Sequence, residues 1–250
     1  MKTVILCGGK GLRMGNQNRD MPKPLVNIGD NPILWHIMKI YSHQEFKDFL
    51  LCLGYLGEKI VGYFSNEDKN TVKEYKNEDL TTIYPKEGWK ITCVDTGLET
   101  NTGGRIKKLE ERINSTFFAT YGDGVANIDL NELLRFHRAH NKVATISVVR
   151  PTSQFGILDI ESDLVTNFVE KPILDYWVNG GFFVFEPEIF DYIGRNDVLE
   201  KDTFEGLVRD NEMVAYKHRG FWECMDTFKD NIELNEMWNT NNAKWAVWEK

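Results

Sequence analysis

The sequence has 250 residues, of which 42% are hydrophobic and 27% are charged, and its formal net charge at pH 7 is -8. This composition is ordinary for a globular protein, and the length suffices for one sizeable α/β domain. The acidic balance argues against a nucleic-acid binder, because such proteins owe much of their affinity to clustered lysine and arginine. It leaves room for a small phosphorylated ligand, which a few basic side chains and backbone N–H groups can hold.

The four cysteines form no C-x-x-C motif, and three of them lie in short apolar runs. Buried thiols in a reducing compartment are therefore favoured over a disulfide or a metal site. The sequence starts directly in a predicted strand, so we expect no signal peptide, and no apolar run approaches the ~20 residues of a membrane span. These features predict a cytoplasmic protein without a membrane partner.

Apolar runs alternate with amphipathic segments through the first part of the chain. The patterns predict, in order, a strand at Thr3–Cys7, a helix from Pro32, a strand at Phe49–Leu53, a helix at about Glu58–Phe64, a strand at Trp89–Thr96, a helix at Gly103–Asn114, a strand at Phe117–Tyr121, a helix at Leu130–His140 and a strand at Ala144–Val149. Residues 65–88 are polar and weakly periodic, and we expect them to form a surface excursion.

The final third is richer in strands. The patterns predict strands at Gly156–Ile160, Val165–Glu170, Gly181–Phe185 and Val214–His218, and helices at Glu188–Ile193, Thr203–Arg209 and Phe228–Trp238. The alternation predicts a single α/β domain with a doubly wound, mostly parallel (mixed) sheet and helices on both faces. Ligands bind such sheets beyond the carboxyl ends of the strands, near the switch in strand order.

The first predicted strand runs into a glycine-rich loop, ILCGGKGLRMG. A dinucleotide fingerprint is disfavoured because Met14 stands where glycine or alanine is needed, and no register supplies a P-loop. What remains is G-G-x-G-x-R, followed by Pro22-Lys23-Pro24. Glycine N–H groups, the fork of Arg13 and the mobile charge of Lys23 suit a triphosphate. For the loop alone, a tight turn with solvated basic side chains is an equal alternative.

Two aspartates are candidate metal ligands. Asp123 lies between two glycines at a predicted strand end, where an Asx-turn is the alternative role. Asp226 precedes a predicted helix, where a helix N-cap is the alternative. Paired in the ligand crevice, the two carboxylates would form a Mg²⁺ site together with phosphates and waters.

Other polar segments are weaker signals. Glu170-Lys171-Pro172 ends one predicted strand and Asn179-Gly180-Gly181 opens the next, so the lysine could contact a phosphate and the glutamate a hydroxyl. Taken alone, a surface ion pair beside a turn is the better interpretation. No arrangement typical of a covalent nucleophile stands out. We expect the tryptophans near the C-terminus to pack that tail onto the body of the protein.

In order, the segments G-G-x-G-x-R, P-K-P, Y-G-D-G, E-K-P, N-G-G-F-F-V and M-D-T resemble the sugar-phosphate nucleotidylyltransferases. Longer stretches, among them IGDNPILWHIMKIYS, VDTGLETNTGGRIKKL and GFWECMDTFKD, are similar to the bacterial glucose-1-phosphate cytidylyltransferases. The resemblance spans nearly the whole chain. It implies a Rossmann-like nucleotidyltransferase fold in one domain, with residues 1–125 mainly binding nucleotide and residues 126–250 mainly binding the acceptor and packing the C-terminus.

The resemblance implies a Mg²⁺-dependent reaction of CTP with a phosphorylated small molecule, glucose 1-phosphate being the best guess. A phosphate oxygen of the acceptor attacks the α-phosphorus in line and releases diphosphate, without an enzyme-bound intermediate. The CDP-linked product would serve surface polysaccharide synthesis. A homo-oligomer is expected, and no nucleic-acid partner.

By position in the motifs, the resemblance also implies roles for individual residues. Catalytic roles fall to Arg13, Lys23, Asp123 and Lys171. The implied nucleotide-binding residues are Leu6, Gly8, Gly9, Gly11, Arg13, Lys23, Thr102, Gly103, Gly104, Arg105 and Asp123. The implied acceptor-binding residues are Tyr121, Glu170, Lys171, Trp177, Asn179 and Gly180. The implied Mg²⁺ ligands are Asp123 and Asp226.

The sequence departs from the family pattern at three places. Leu12 replaces the usual threonine of G-x-G-T-R, and Asn27 stands where the cytidylyl branch usually has glutamate. Ile173–Val178 contains Tyr176 and Trp177, which are bulkier than the small, glycine-containing stretch usual there. A smaller acceptor, such as a glycerol phosphate, is therefore an alternative to glucose 1-phosphate.

Two other classes of protein remain as alternatives. A catalytically silent nucleotide-binding subunit would keep the fold, but it has no need for the full set of charged residues retained here. An NAD-type dehydrogenase is weaker still, because of Met14.

Overall fold

The computed structural model describes residues 1–9, 20–65 and 80–249 in full and residues 71–77 as backbone. Within these residues the strands are β1 Lys2–Leu6, β2 Asn27–Ile28, β3 Asn31–Pro32, β4 Asp48–Leu53, β5 Thr71–Asn77, β6 Leu80–Pro85, β7 Lys90–Asp95, β8 Phe117–Tyr121, β9 Gly124–Ala126, β10 Ala144–Val149, β11 Ile157–Glu161, β12 Leu164–Val169, β13 Val178–Phe185, β14 Met213–Lys217 and β15 Trp222–Cys224. The α-helices are α1 Ile33–His43, α2 Gly57–Ser65, α3 Thr102–Lys107, α4 Leu130–His140, α5 Ile189–Tyr192, α6 Phe204–Arg209 and α7 Phe228–Asn239.

A nine-stranded sheet forms the centre of the molecule, in the order β14-β10-β13-β8-β1-β4-β7-β6-β5. Its middle strands β8, β1, β4 and β7 are parallel. β13 runs antiparallel to both of its neighbours, and so does β6. The sheet is therefore mixed, with a parallel centre, and the predicted fold class is confirmed.

Both faces of the sheet are covered, so its central strands are apolar on both sides. Alternate residues of β1 show this, since Ile5 belongs to one buried cluster and Val4 to the other. Side chains of α1, α2 and α4 pack in the first cluster. Side chains of α3, α5 and α6 pack in the second.

The prediction that residues 65–88 form a surface excursion was wrong for most of the segment. β5 and β6 lie here and extend the sheet, with Ile83 of β6 paired to Ile91 of β7. Ile83 is buried, but most described side chains of β6 are only half-buried. β6 lies next to the edge strand β5, and strands near the edge of a sheet bury few side chains and so have a weak apolar pattern. The helix predicted at Gly103–Asn114 is also shorter, since α3 ends at Lys107 and a 3₁₀ turn follows at Glu110–Arg112.

A hairpin arm, residues 150–177, projects from the body of the protein. Its strands β11 and β12 pair with each other, and every side chain on them is exposed. The base of the arm is closed by a bridge between Thr152 and Ile173 and by a hydrogen bond from Arg150 Nε to the carbonyl oxygen of Leu174 at 2.9 Å.

The C-terminal tail packs back onto α1. Trp245 is fully buried, and its indole N–H donates to Nδ1 of His36 at 3.4 Å. Trp238 and Trp248 also lie against the His36 ring. The tail therefore belongs to the core, as the sequence predicts. No helix in the described part of the chain is long and apolar enough to cross a membrane.

Candidate active site

A cleft of about 490 Å³ lies at the carboxyl ends of β1 and β8. These are adjacent parallel strands at the centre of the sheet, where the chain order reverses and ligands are expected. The lining residues come from six segments of the chain: Leu6–Gly9, Lys23-Pro24, Thr100–Thr102, Arg105, Tyr121–Asp123 and Asp226.

Short strands bring the two predicted metal ligands together. β9 and β15 pair so that Gly124 faces Cys224, and the Met225 N–H donates to the carbonyl oxygen of Asp123 at 2.9 Å. Asp123 and Asp226 consequently lie side by side. The helix α7 that follows is capped by Thr227 and not by Asp226, so the N-cap alternative for Asp226 does not apply.

Lys23 lies between these carboxylates. Its Nζ is 2.7 Å from Oδ2 of Asp123 and 2.5 Å from Oδ1 of Asp226. Burial disfavours the charged form, but the attraction and hydrogen bonds of the two carboxylates outweigh it, and the pKa of Lys23 is raised. A 3₁₀ turn at Lys23–Leu25, with Pro24 buried, fixes the backbone from which this side chain reaches the cleft.

The donor atoms of this cluster suit a divalent cation. Asp123, Asp226 and Cys224 each offer one atom, and the three atoms lie within 4.8 Å of one another. Carboxylate oxygens are hard ligands of the kind Mg²⁺ prefers. Burial, with the neighbouring Asp123 charge, raises the pKa of Cys224. Sulfur is a soft ligand and Mg²⁺ prefers oxygen, so the carboxylates are the better donors. Both carboxylates are partly exposed and can be reached from the cleft.

The glycines after β1 bring the backbone close to its neighbours. A Cβ on Gly8 would overlap the guanidinium of Arg105, whereas a Cβ on Gly9 would meet nothing within 4 Å. Gly8 therefore allows close packing, and the Gly9 backbone borders open space. The predicted contributions of Gly11 and Arg13, and the departure at Leu12, lie outside the described residues.

Arg105 lies in the wall of the cleft with its donors turned toward the protein. Its guanidinium donates to Thr96 Oγ1 at 2.7 Å and to the carbonyl oxygens of Leu53, Gly97, Gly8 and Leu98 at 2.9, 2.8, 3.0 and 3.3 Å. The side chain is buried. Arg105 thus ties the ends of β1 and β4 to the loop after β7.

Gly103 and Gly104 are packing residues at the start of α3 and do not line the cleft. A Cβ on Gly103 would lie 2.8 Å from the carbonyl oxygen of Asp197, and one on Gly104 would lie 2.7 Å from that of Arg195. The neighbouring Thr102 lines the cleft. This glycine pair lets the segment before α6 approach the helix.

The residues predicted to bind the acceptor fall into two groups. Tyr121 lines the cleft, and its hydroxyl accepts a hydrogen bond from Nδ2 of Asn179 at 3.1 Å. The carbonyl oxygen of Gly180 accepts from the Trp222 indole at 2.7 Å. The remaining three residues, Glu170, Lys171 and Trp177, lie on the hairpin arm. Of these six residues, all in the described part of the chain, Tyr121 alone lines the cleft.

Glu200, which the sequence analysis missed, is hydrogen-bonded to two side chains that line the cleft. Its carboxylate accepts hydrogen bonds from the hydroxyl of Tyr121 and, at 2.9 Å, from Oγ1 of Thr102. It lies in a π-helical turn, Leu199–Thr203, immediately before α6. The sequence LEKDT carries no motif, so an acidic residue ahead of a predicted helix was the only available signal.

Comparison with known proteins agrees with the resemblance. The family model described as nucleotidyl transferase matches residues 2–241. A probable glucose-1-phosphate cytidylyltransferase of Bacillus subtilis is 43% identical over 254 residues, covering 99% of this chain and 100% of the relative. A glucose-1-phosphate cytidylyltransferase of Salmonella typhi is 42% identical over 257 residues, covering all of both chains.

Solved structures share the fold at lower identity. A putative glucose-1-phosphate thymidylyltransferase of Bacillus anthracis superposes with a TM-score of 0.72 at 16% identity, covering 97% of this chain and 95% of that one. A UDP-glucose pyrophosphorylase superposes with a TM-score of 0.69 at 16% identity, covering 96% of this chain and 98% of that one. These similarities support the architecture alone.

Proposed function

Because the chain belongs to the nucleotidyl transferase family, we propose that it is a Mg²⁺-dependent cytidylyltransferase that converts CTP and glucose 1-phosphate to CDP-glucose and diphosphate. A phosphate oxygen of the acceptor forms the new bond to the α-phosphorus of CTP. The bond from that phosphorus to the diphosphate breaks in the same in-line displacement. The observation that carries the proposal is the convergence of Lys23, Asp123 and Asp226 in one cleft.

The chemistry requires two anions to meet, so the site must neutralise charge and fix geometry. Lys23 supplies a mobile positive charge for the phosphates of CTP and for the departing diphosphate. Members of this family generally use a divalent metal ion, and Asp123 and Asp226 would hold it as Mg²⁺. When bound, such an ion neutralises phosphate oxygens and polarises the α-phosphorus.

The remaining roles follow the family motifs. Gly8, Gly9 and Gly11 would offer backbone contacts to the nucleotide, and Arg13 would hold the triphosphate. Residues 1–125 would bind mainly nucleotide and residues 126–250 mainly the acceptor. The CDP-linked product would be made in the cytoplasm and would be a precursor of surface polysaccharide.

The test is diphosphate release in the presence of Mg²⁺, with CTP, UTP, dTTP and ATP each paired with glucose 1-phosphate or a glycerol phosphate. We expect turnover with CTP and glucose 1-phosphate. Preference for glycerol phosphate would move the activity to the alternative acceptor. A folded protein that binds CTP without turning over any pair would instead be the silent nucleotide-binding subunit.

We also propose that the hairpin arm packs against a second copy of this chain in a homo-oligomer. Several large apolar side chains of the arm are exposed, including Phe155, Ile160, Leu164 and Phe168. Exposed apolar patches of this kind mark contact surfaces. Glu170 and Lys171 of the arm are expected to bind the acceptor but do not line the cleft of their own chain. In the homo-oligomer, Glu170 and Lys171 would reach the cleft of the second copy.

The molar mass in solution, measured by light scattering, tests the oligomer. We expect a multiple of the 29.0 kDa chain mass, and a shift toward monomer in an Ile160→Ser/Leu164→Ser variant. Val208→Ser, which alters an exposed apolar residue of α6, is the matched control and should leave the mass unchanged. A monomeric wild-type protein would overturn this proposal.

A further inference from the structure

Glu200 is the centre of a hydrogen-bond network that joins both sides of the cleft. Thr102, at the start of α3, donates to one carboxylate oxygen, and Tyr121, at the end of β8, donates to the other. Both donors line the cleft, and Glu200 is an exposed side chain beside them that is not itself one of the lining residues. The turn that carries it is π-helical, a rare conformation that often occurs at functional sites.

The hydrogen bonds of this network all point toward Glu200. A carboxylate only accepts, so the hydroxyl protons of Tyr121 and Thr102 must both face it. The Tyr121 oxygen in turn accepts from Asn179, and the Thr102 oxygen accepts from the Leu199 N–H at 2.9 Å. Glu200 and the two hydroxyls therefore present lone pairs to a ligand.

Opposite charges lie in and beside the cleft. Lys23 contributes a cation beside Asp123 and Asp226, whereas Glu200 contributes an anion beside Tyr121. A carboxylate has about four acceptor positions, and the network uses two of them. The remaining lone pairs of Glu200 suit a hydroxyl donor and repel a phosphate.

We propose that Glu200 is a specificity-determining residue that accepts a hydrogen bond from a hydroxyl group of the acceptor, an inference that rests on the proposed function. It thereby orients the acceptor with its hydroxyl-bearing end toward Tyr121 and its phosphate toward Lys23. The acceptor is favoured over the ribose of CTP because Asn179, which the motifs assign to the acceptor, donates to the Tyr121 hydroxyl of the network.

The experiment compares wild-type protein, Glu200→Gln and Glu205→Gln with CTP, using glucose 1-phosphate and its monodeoxy derivatives. Glu205 is an exposed carboxylate in the first turn of α6, just after the π-helical turn that carries Glu200, so its variant is the matched control. Unchanged melting temperatures establish that the variants fold. We expect Glu200→Gln to raise the KM for glucose 1-phosphate by about tenfold to a hundredfold, the range for a hydrogen bond to a charged group.

One deoxy derivative identifies the hydroxyl that Glu200 contacts. Wild type and Glu205→Gln should lose activity on it by about tenfold or more, while Glu200→Gln should discriminate less than about twofold. Equal sensitivity of Glu200→Gln to every deoxy derivative would overturn the inference, and so would an effect confined to the KM for CTP. A merely structural Glu200 would lower activity on all acceptors alike.

The two proposals fail separately. If wild-type protein uses another phosphorylated alcohol, the proposed acceptor is wrong, and the same comparison with that alcohol and its deoxy forms still tests Glu200. If wild-type protein transfers nothing, the proposed function is wrong. Calorimetric affinity for glucose 1-phosphate then decides, since equal affinity of wild type and Glu200→Gln overturns the role of Glu200 and a tenfold loss supports it.

Discussion

Lys23 lets two carboxylates lie close together. Oxygens of Asp123 and Asp226 lie within 4.8 Å of each other, and at such a distance like charges repel by about 1–4 kcal/mol near a protein surface. The Lys23 ammonium offsets this repulsion with a hydrogen bond to each carboxylate. Binding of phosphates and a divalent ion would therefore exchange one set of charge partners for another. Such an exchange avoids leaving any of the three charges without a partner.

We expect Asp123→Asn and Asp226→Asn each to reduce diphosphate release from CTP by about a hundredfold or more, as for loss of a group that stabilises transition-state charge. The fold should persist, because the amide is isosteric and can still contact Lys23. Activity and melting temperature of each variant give the measurement. Asp191→Asn, at an exposed position on α5, serves as the control. Near-normal activity in either variant would remove that residue from the site.

The packing of the start of α3 depends on its glycines. A Cβ on Gly103 would lie 2.8 Å from the Asp197 carbonyl oxygen, and backbone cannot yield as a flexible side chain can. Gly103→Ala should therefore destabilise the protein by about 1–3 kcal/mol, the usual cost of overpacking. Gly62→Ala in α2 meets nothing within 4 Å and should stabilise it by up to about 1 kcal/mol. Urea unfolding of both variants measures the difference, and equal effects would contradict the packing argument.

The elements that could be predicted from the sequence are those with a regular apolar pattern. α4 has the predicted bounds because its apolar stripe is regular and Asp129 caps it, accepting from the Glu132 N–H. β8 and β10 are also where their apolar runs predict, since both are covered by the core. The short strands β9 and β15 were not predicted, because three residues are too few to show a pattern.

Those two short strands limited what could be predicted of the site. The motifs indicated Asp123 and Asp226 separately, but their contact depends on the register between β9 and β15. Glu200 was not predicted for a related reason, because its partners Thr102 and Tyr121 are far from it in sequence. Resemblance to a family supplied the pairing of the aspartates and gave no signal for Glu200.

His36 joins α1 to the C-terminal tail and so links two parts of the fold that lie far apart in the sequence. Its Nε2 contacts the carbonyl oxygen of Ile28 at 2.9 Å, and its Nδ1 accepts from the Trp245 indole. Both bonds are made at once only by the neutral imidazole with its proton on Nε2. Burial lowers the pKa of His36 to about 4. Protonation would place a charge in the core and remove the acceptor that holds the tail.

This arrangement predicts loss of stability in mild acid. The unfolded chain takes up the His36 proton near pH 6.5 and the folded chain only near pH 4, so the contribution is complete above pH 6.5 and is lost as the pH falls toward 4. Its size is about 3 kcal/mol, from about 1.4 kcal/mol per pKa unit. Burial also lowers the pKa values of His137 and His218, which add to the acid sensitivity.

Comparison of variants isolates the contribution of His36 to the pH dependence of stability. Urea unfolding followed by tryptophan fluorescence at pH 7 and pH 4.5 should show a smaller loss of stability in His36→Gln than in wild type. His43→Gln, which changes an exposed histidine at the end of the same helix, should keep the wild-type pH dependence. If His36→Gln loses as much stability as wild type over this range, His36 is not the group that couples protonation to the packing of the tail.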